Sequence, residues 1–124
     1  MRVLLTGAFG NIGASALTEL VQRGHRVRCF DMPTPANRRA ARRSAGRQVE
    51  VAWGDLRQPS DVLAAVRDQD AVVHLAFVLP RLSATGVNSE DRPDWARAIN
   101  VGGTLNLLAA LQAQRPAPKL IFAS

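Results

Sequence analysis

The sequence predicts a doubly wound α/β domain, in which one parallel sheet carries helices on both faces. Short apolar runs alternate with segments of helical spacing, and this order implies right-handed crossovers between parallel strands. A glycine-rich turn joins the first apolar run to the first helical segment. The run from Ala71 to Ala76 is almost continuously apolar, as is typical of a strand buried on both faces. A length of 124 residues fits one such domain.

The first part of the chain supplies three strands and one helix. Residues 1–6 form a short apolar strand, and apolar residues then recur at helical spacing up to Gly24, where the helix stops. A second strand over residues 26–30 ends at Asp31. The polar, arginine-rich stretch that runs on to Arg47 is predicted to be a loop. Residues 48–53 alternate in polarity and form the third strand.

The second part adds two helices and two strands. The segment Pro59-Ser60-Asp61 is typical of a helix start, and the fourth strand follows over residues 71–76. Residues 77–93 form a long loop, and residues 95–113 form a helix that ends before two prolines. Residues 119–123 form the fifth strand. The apolar residues predicted to face inward on the long helix are Ile99, Leu105, Leu108 and Leu111.

Composition excludes several classes of protein. With 47% hydrophobic and 21% charged residues, the chain is globular rather than disordered. No apolar run approaches the roughly 20 residues that span a membrane, and the apolar run of residues 1–5 breaks at Thr6-Gly7, so we expect no secretory leader. The single cysteine, Cys29, cannot form an internal disulfide, and no Cys/His cluster has metal spacing. We therefore expect a cytoplasmic protein without a metal site.

The net charge of +6 has a local origin. Five arginines fall within ten residues, namely Arg38, Arg39, Arg42, Arg43 and Arg47. Such a cluster is also a candidate nucleic-acid patch, because arginine neutralises phosphates. However, no aromatic residue is interleaved with these arginines to stack on bases. A solvated basic segment is therefore the favoured interpretation.

The turn from Thr6 to Gly13 has the features of a dinucleotide-binding, Rossmann-like fingerprint. Glycines at positions 7, 10 and 13 allow a sharp turn, close approach of a pyrophosphate and close packing of the helix on the sheet. Backbone N–H groups of Phe9, Asn11 and Ile12 are the expected pyrophosphate donors. Asp31 lies 18 residues beyond Gly13, where a carboxylate that accepts from the adenosine ribose is expected. The alternative is that the glycines only make a tight turn.

The spacing Thr-Gly-x-x-Gly-x-x-Gly resembles that of the NAD-dependent epimerase/dehydratase family, the extended short-chain dehydrogenases/reductases. Four further segments resemble motifs of that family in the same order along the chain. These segments are Gly54-Asp55-Leu56, His74-Leu75-Ala76, Asn100-Val101-Gly102-Gly103-Thr104 and Leu120-Ile121-Phe122-Ala123-Ser124. The resemblance covers the whole sequence and implies a sheet of strand order 3-2-1-4-5.

The resemblance also implies roles for single residues. Asp55, with Leu56, would hold the adenine, and Leu75 and Ala76 would line the path to the nicotinamide. Asn100 would support the site, since asparagine and the two following glycines are costly within a helix. Asp55 also has the simpler interpretation of a strand-ending turn residue. His74 is assigned no chemistry, because a buried, satisfied histidine is the commoner case.

The family's catalytic pair, Tyr-x-x-x-Lys, is not among these residues. The chain has no tyrosine, and its one lysine, Lys119, opens the fifth strand. Ser124 is expected to precede the catalytic hydroxyl rather than to be it. We therefore expect the cofactor-binding first half of a longer enzyme acting on a sugar-like, nucleotide-sugar substrate. We also expect self-association through the fifth strand, whose outer edge would be exposed.

Two further questions stay open at the level of sequence. Asp31 favours NAD over NADP, because a carboxylate repels the 2′-phosphate, although the nearby arginines could fold back over the adenosine. The missing catalytic pair would also suit a non-catalytic, NAD(P)-sensing regulator of the NmrA-like kind. Sequence beyond residue 124 would separate an enzyme from a sensor.

Overall fold

The computed structural model describes residues 1–78 and 92–123 and confirms the predicted fold class. Five parallel strands form one sheet in the order β3-β2-β1-β4-β5, as predicted. Their bounds are β1 Arg2–Thr6, β2 Arg26–Asp31, β3 Val49–Trp53, β4 Ala71–His74 and β5 Lys119–Phe122. Much of the predicted loop 77–93, and Ser124, lie outside the described residues.

Helices connect the strands. They are α1 Asn11–Gln22, α2 Pro35–Arg43, α3 Pro59–Val66, α4 Pro93–Arg97 and α5 Thr104–Gln112, with a π-helical segment, Ala98–Gly103, joining α4 to α5. α3 begins at the predicted proline and carries Asp61 in its first turn, where a negative charge suits the helix dipole. Within the described residues, no helix is both long and apolar enough to cross a membrane.

The arginine-rich segment is a helix, and the prediction of a loop was wrong. Thr34 caps the helix by accepting a hydrogen bond from the backbone N–H of Asn37 at 3.1 Å, and Pro35 occupies the first helical turn. Asn37 and Ala41 are buried, whereas the arginines lie on the exposed side. Arginine and alanine are both good helix formers, so the charge of the segment did not oppose a helix.

The core has two parts, one on each face of the sheet. Side chains alternate along β1, so that Leu4 belongs to one cluster and Leu5 to the other. Leu4 packs with the residues of α3 and α5, which cover one face. Leu5 packs with Leu17 of α1 and with Cys29 of β2 on the other face. This division is what a doubly wound sheet requires.

The inward face of the long helix differs from the prediction. Leu107, Ala110 and Leu111 are buried in α5, while Leu105 is 60% exposed and Leu108 39% exposed. Residues two positions apart in an α-helix are separated by about 200° of rotation, so Leu105 and Leu107 cannot share a face. Ile99 and Leu111 were predicted correctly.

The strand register brings the functional segments together. Thr6 pairs with Phe30 on one side and with His74 on the other, and Asp31 pairs with Trp53. Since all strands are parallel, the segments that follow β1, β2, β3 and β4 emerge at one edge of the sheet, its carboxyl edge. The predicted cofactor-binding residues lie at the ends of these strands or in the segments that follow them, except Asn100, which belongs to the π-helical segment before α5.

Candidate functional site

Two glycines of the turn after β1 are required by the packing of the protein itself. Gly7 has a φ of +66°, and a Cβ there would lie 2.8 Å from the Cα of Ala76. A Cβ on Gly13 would collide with the carbonyl oxygen of Gly7. Any larger residue at either position would therefore push the turn away from the segment after β4 or from α1.

Gly10 is different, because its surroundings would accept a side chain. A Cβ there would meet only the Gly7 carbonyl oxygen, at 3.5 Å, and its φ of −75° is open to any residue. Gly10 is the N-cap of α1, and no side chain caps the helix. The N–H groups of Asn11, Ile12 and Gly13 in the first turn thus point toward the carboxyl edge without a side-chain partner. Ile12 itself is 69% exposed.

Asp31 lies directly beside this turn. Its Oδ2 accepts a hydrogen bond from the backbone N–H of Phe9 at 3.1 Å, and its Oδ1 accepts from the N–H of Met32 at 2.9 Å. Burial raises the pKa of Asp31 above its usual range, against the lowering effect of these hydrogen bonds. A carboxylate can accept about four hydrogen bonds, so acceptor positions remain for a ligand. The Phe9 amide, expected to serve a pyrophosphate, instead orients Asp31 in this structure.

An aromatic pair and one arginine flank Asp31. The rings of Phe9 and Trp53 lie 5.6 Å apart, and the guanidinium of Arg38 sits 5.3 Å from the centre of the Trp53 ring. This cation–π contact brings one arginine of α2 to the carboxyl edge. No sequence signal indicated the pairing, because Trp53 and Arg38 are 15 residues apart on different elements.

Asp55 follows β3 and is held by a neighbouring arginine. The Arg57 guanidinium donates to both carboxylate oxygens, with Nη2 2.6 Å from Oδ2 and Nε 3.0 Å from Oδ1. This pairing holds the pKa of Asp55 below its usual range. The backbone N–H of Arg57 also donates to Oδ1 at 2.9 Å, which is the geometry of an Asx turn. The structure thus shows the turn-forming role of Asp55, and its adenine role stays a prediction.

Leu56 points away from the carboxyl edge. Its side chain is buried in the core, and a Cβ on Gly103 would lie 2.7 Å from the Leu56 Cβ. Its carbonyl oxygen accepts a hydrogen bond from Asn106 Nδ2 at 2.8 Å. Only the backbone of Leu56 can therefore face a ligand. The costly Gly103 is explained by this close packing, whereas Gly102 has open space around it.

The segment after β4 is held from two directions. The backbone N–H groups of Leu75 and Ala76 both donate to Thr6 Oγ1, at 3.1 and 3.2 Å. The side chain of Asn100 accepts from the N–H of Val78 at 2.8 Å and donates to its carbonyl oxygen at 3.1 Å. Asn100 therefore supports the segment that contains the two predicted nicotinamide-side residues. From the sequence, Thr6 was recognised only as the first residue of the fingerprint, without a role of its own, and Val78 was not singled out.

His74 ends β4 and is completely buried. Its Nδ1 lies 2.6 Å from Thr6 Oγ1, and its Nε2 lies 3.1 Å from Thr104 Oγ1. Burial lowers the pKa of His74 to about 4, so the ring is neutral near pH 7. His74 is thus a buried histidine whose hydrogen bonds are satisfied, the interpretation favoured from the sequence.

Cys29 is also buried, and its thiol has a pKa raised to about 12 by that burial.

No group of three or more candidate metal ligands is formed by the residues that the structure describes. The acceptors at the carboxyl edge, Asp31 and Asp55, are separately engaged by backbone amides and by Arg57. The edge instead offers helix N–H groups without a side-chain cap, a half-buried carboxylate and an aromatic wall. These groups suit a ligand that carries both an anionic part and ribose-like hydroxyls.

The strand order and the glycine turn together define a Rossmann-like α/β protein. More narrowly, the chain belongs to the NAD dependent epimerase/dehydratase family, whose family model matches residues 3–124.

Similar proteins include a steroid dehydrogenase and a nucleotide-sugar epimerase. The chain is 40% identical over 111 residues to a 3 beta-hydroxysteroid dehydrogenase/Delta 5-->4-isomerase of Mycobacterium tuberculosis, covering 90% of this chain and 28% of the relative. It is 34% identical over 118 residues to a UDP-glucose 4-epimerase of Klebsiella pneumoniae, covering 91% of this chain and 81% of the relative. The chain thus spans little more than a quarter of the length of the mycobacterial enzyme.

Solved structures agree with this assignment. The UDP-glucose 4-epimerase of Thermus thermophilus, in complex with NAD, superposes with a TM-score of 0.80 at 32% identity, over 100% of this chain and 37% of that one. The uronate dehydrogenase of Agrobacterium tumefaciens, also complexed with NAD, superposes with a TM-score of 0.72 at 26% identity, over 99% of this chain and 40% of that one. Both similar structures therefore hold a nicotinamide dinucleotide.

Proposed function

We propose that the chain binds a nicotinamide dinucleotide along the carboxyl edge of its sheet, with the pyrophosphate at the start of α1 and the adenosine ribose at Asp31. The NAD complexes of the similar structures support a ligand of this class. The expected contacts of Gly7, Gly10, Asn11, Ile12 and Gly13 with the pyrophosphate are part of this proposal.

Gly10 is the observation that carries the proposal. Gly7 and Gly13 are explained by contacts within the protein, but nothing within the described residues requires a glycine at position 10. A glycine at this position is explained by a ligand that approaches the backbone closely, because a Cβ would hold that ligand farther from the backbone N–H groups. The uncapped N–H groups beside Gly10 favour an anionic group as that ligand.

The test compares Gly10→Ala with Gly46→Ala, each titrated with NAD by calorimetry. Gly46 also has open space around it but lies before β3, away from the turn. We expect Gly10→Ala to keep the thermal stability of the parent chain and to lose at least about tenfold in NAD affinity, whereas Gly46→Ala keeps both. Equal NAD affinity in the parent chain and Gly10→Ala would refute a pyrophosphate at this turn.

We further propose that NAD is preferred over NADP. The half-buried Asp31 carboxylate retains acceptor positions for two ribose hydroxyls and would repel a 2′-phosphate. Arg38 stacks on Trp53 beside it, so a rearranged Arg38 is the nearest candidate to offset that repulsion. Tighter binding of NADP than of NAD would overturn the proposal. The loss of NADP binding in Arg38→Ala would then identify the guanidinium as the cause.

We propose that the longer enzyme to which this chain is expected to belong transfers a hydride between NAD and a secondary alcohol. A sugar-like, nucleotide-sugar alcohol is the expected substrate, and the similar UDP-glucose 4-epimerases support it. A 3β-hydroxysteroid is the second candidate, because the mycobacterial relative is named for that activity. Turnover of UDP-glucose and of a 3β-hydroxysteroid by the longer enzyme in the presence of NAD separates the two, and turnover of neither would contradict both. Because the chain has no tyrosine, we expect no NADH from either substrate with the chain alone.

Self-association through β5 also stays a prediction. β5 is the last strand in the described sheet, and Ile121 and Phe122 are 59% and 45% exposed. A strand with an unpaired edge and apolar side chains invites pairing with another chain. Sedimentation velocity at tens of micromolar chain tests this prediction, and a monomeric profile would contradict it.

A further inference from the structure

His74 joins two elements of the site, β1 and α5. Its ring bridges Thr6, which leads into the glycine turn, and Thr104, which opens α5. The rings of Phe77 and Phe122 pack against it at 5.9 and 5.6 Å between centres. The groups facing the imidazole from β1, from α5 and from both flanking aromatic segments are thus uncharged within the described residues.

The hydrogen bonds around the ring fix its tautomer. Thr104 Oγ1 has one hydrogen and donates it to the carbonyl oxygen of Asn100 at 2.7 Å, so toward His74 it can only accept. Nε2 of His74 therefore carries the hydrogen, and Nδ1 is an acceptor that receives the hydroxyl hydrogen of Thr6.

Thr6 supports the same conclusion independently. Its Oγ1 already accepts two N–H groups, from Leu75 and Ala76, and a hydroxyl oxygen has two acceptor positions. A hydrogen on Nδ1 would face an oxygen with no position left to accept it. Only the neutral ring with its hydrogen on Nε2 satisfies every group in this network.

The network fixes the position of the backbone that follows β4. Thr6 fixes residues 75 and 76, and Asn100, whose carbonyl Thr104 engages, fixes Val78. The π-helical segment Ala98–Gly103 contains Asn100, and such segments are found where a helix is locally adapted to a site. The same backbone lies against Gly7, whose position any shift of Ala76 would disturb.

We propose that His74 is a positioning residue for dinucleotide binding: as the neutral Nε2–H tautomer it locks Thr6 to Thr104, and so holds residues 75–78 in the place that borders the nicotinamide end of the cofactor. This inference rests on the proposed function. A positively charged ring would present an N–H group to Thr6 Oγ1, so that either the bond between His74 and Thr6 or a bond from the Leu75 or Ala76 amide would be lost.

Nitrogen NMR on the full chain labelled at histidine tests the tautomer without any ligand. The chain has two histidines, and a His25→Gln variant assigns their signals. We expect His74 to show a protonated Nε2 and an unprotonated Nδ1 at pH 7, and to remain neutral at about pH 5.5, where an ordinary histidine is mostly charged. A hydrogen on Nδ1, or a charged ring at pH 7, would overturn the proposal.

Calorimetric NAD titrations of Thr104→Val and Thr104→Ser test the positioning role. Valine removes the acceptor for Nε2–H, while serine keeps it. We expect valine to lower NAD affinity about tenfold and serine to restore it to within about twofold of the parent chain. Thr18→Val is the matched control, because Thr18 also donates to the carbonyl four residues earlier, Ala14, but is exposed on α1. Its NAD affinity should not change.

The outcomes separate this inference from the proposed function. A parent chain that does not bind NAD overturns both. A parent chain that binds NAD, with Thr104→Val binding equally well, overturns only the positioning role. Should Thr104→Val fail to fold by circular dichroism, His74→Gln and His74→Leu give the comparison at the ring itself, since a glutamine amide can still donate and accept where leucine cannot. We expect leucine to lower NAD affinity and glutamine to keep more of it, and equal NAD affinity in His74→Leu and the parent chain would overturn the positioning role.

Discussion

Leu107→Ala should destabilise the chain strongly, and Leu105→Ala should not. Leu107 is completely buried between α5 and the sheet, whereas Leu105 is 60% exposed on the opposite side of the same helix. The substitution removes three side-chain carbons, worth about 0.8 kcal/mol each by transfer, and leaves a cavity whose cost adds to that sum. We expect a loss of about 2–5 kcal/mol for Leu107→Ala, a large share of the roughly 5–15 kcal/mol of a typical domain.

Urea unfolding followed by circular dichroism measures both variants under identical conditions. Leu105→Ala is the matched control, since it is the same chemical change two residues away, and it should stay within about 0.5 kcal/mol of the parent chain. The dependence of the unfolding free energy on urea should be unchanged in both, which excludes an altered unfolded state. A loss for Leu105→Ala equal to that for Leu107→Ala would refute the helix orientation and favour the face predicted from the sequence.

Three further predictions follow from packing and protonation. Gly103→Ala should lower the free energy of unfolding by about 1–3 kcal/mol, because its Cβ would press on Leu56, while Gly102→Ala in open space should be neutral or stabilising by up to about 1 kcal/mol, both measured by urea unfolding. The pKa of His74 falls from 6.5 to about 4 on folding, so between these pH values the unfolded chain binds more protons than the folded chain. The contribution of the neutral His74 ring to stability is therefore complete above about pH 6.5 and is lost as the pH falls toward 4. Urea unfolding at several pH values measures this dependence of the unfolding free energy on pH, and the part due to His74 should be absent from His74→Gln. The buried thiol of Cys29, with a pKa of about 12, should react with an aromatic disulfide reagent at pH 8 only after urea unfolds the chain, and rapid labelling of the folded chain would contradict its burial.

The sheet could be predicted from the sequence because periodicity and turn residues agree along most of the chain. The strand order needed the resemblance of several motifs, and the structure confirms it. The helix α2 was missed because the arginine-rich segment was interpreted as a solvated loop on the basis of its charge. Thr34 and Pro35 already formed a helix start signal. The inward face of α5 was missed because a run of leucines at positions 105, 107, 108 and 111 fits more than one helical stripe.

The positions of the site residues were predictable, but their partners were not. Asp31 and the glycine turn follow from spacing, since parallel strands end at one edge. That the Phe9 amide orients Asp31, and that Arg57 holds Asp55, depends on side-chain and loop geometry that spacing does not encode. Thr6 and Thr104 could have been noticed as polar residues beside His74, but only the structure shows that all three form one network.

The glycines separate the demands of the fold from the demands of a ligand. Gly7 lets the turn after β1 touch Ala76, Gly13 lets α1 start against that turn, and Gly103 lets the long helix touch Leu56. Each of these contacts is formed between parts of the protein itself, so the three glycines would be needed whether or not a cofactor binds. Within the motif of three glycines, the proposal of a pyrophosphate at this turn therefore rests on Gly10, the glycine that the surrounding described atoms do not require.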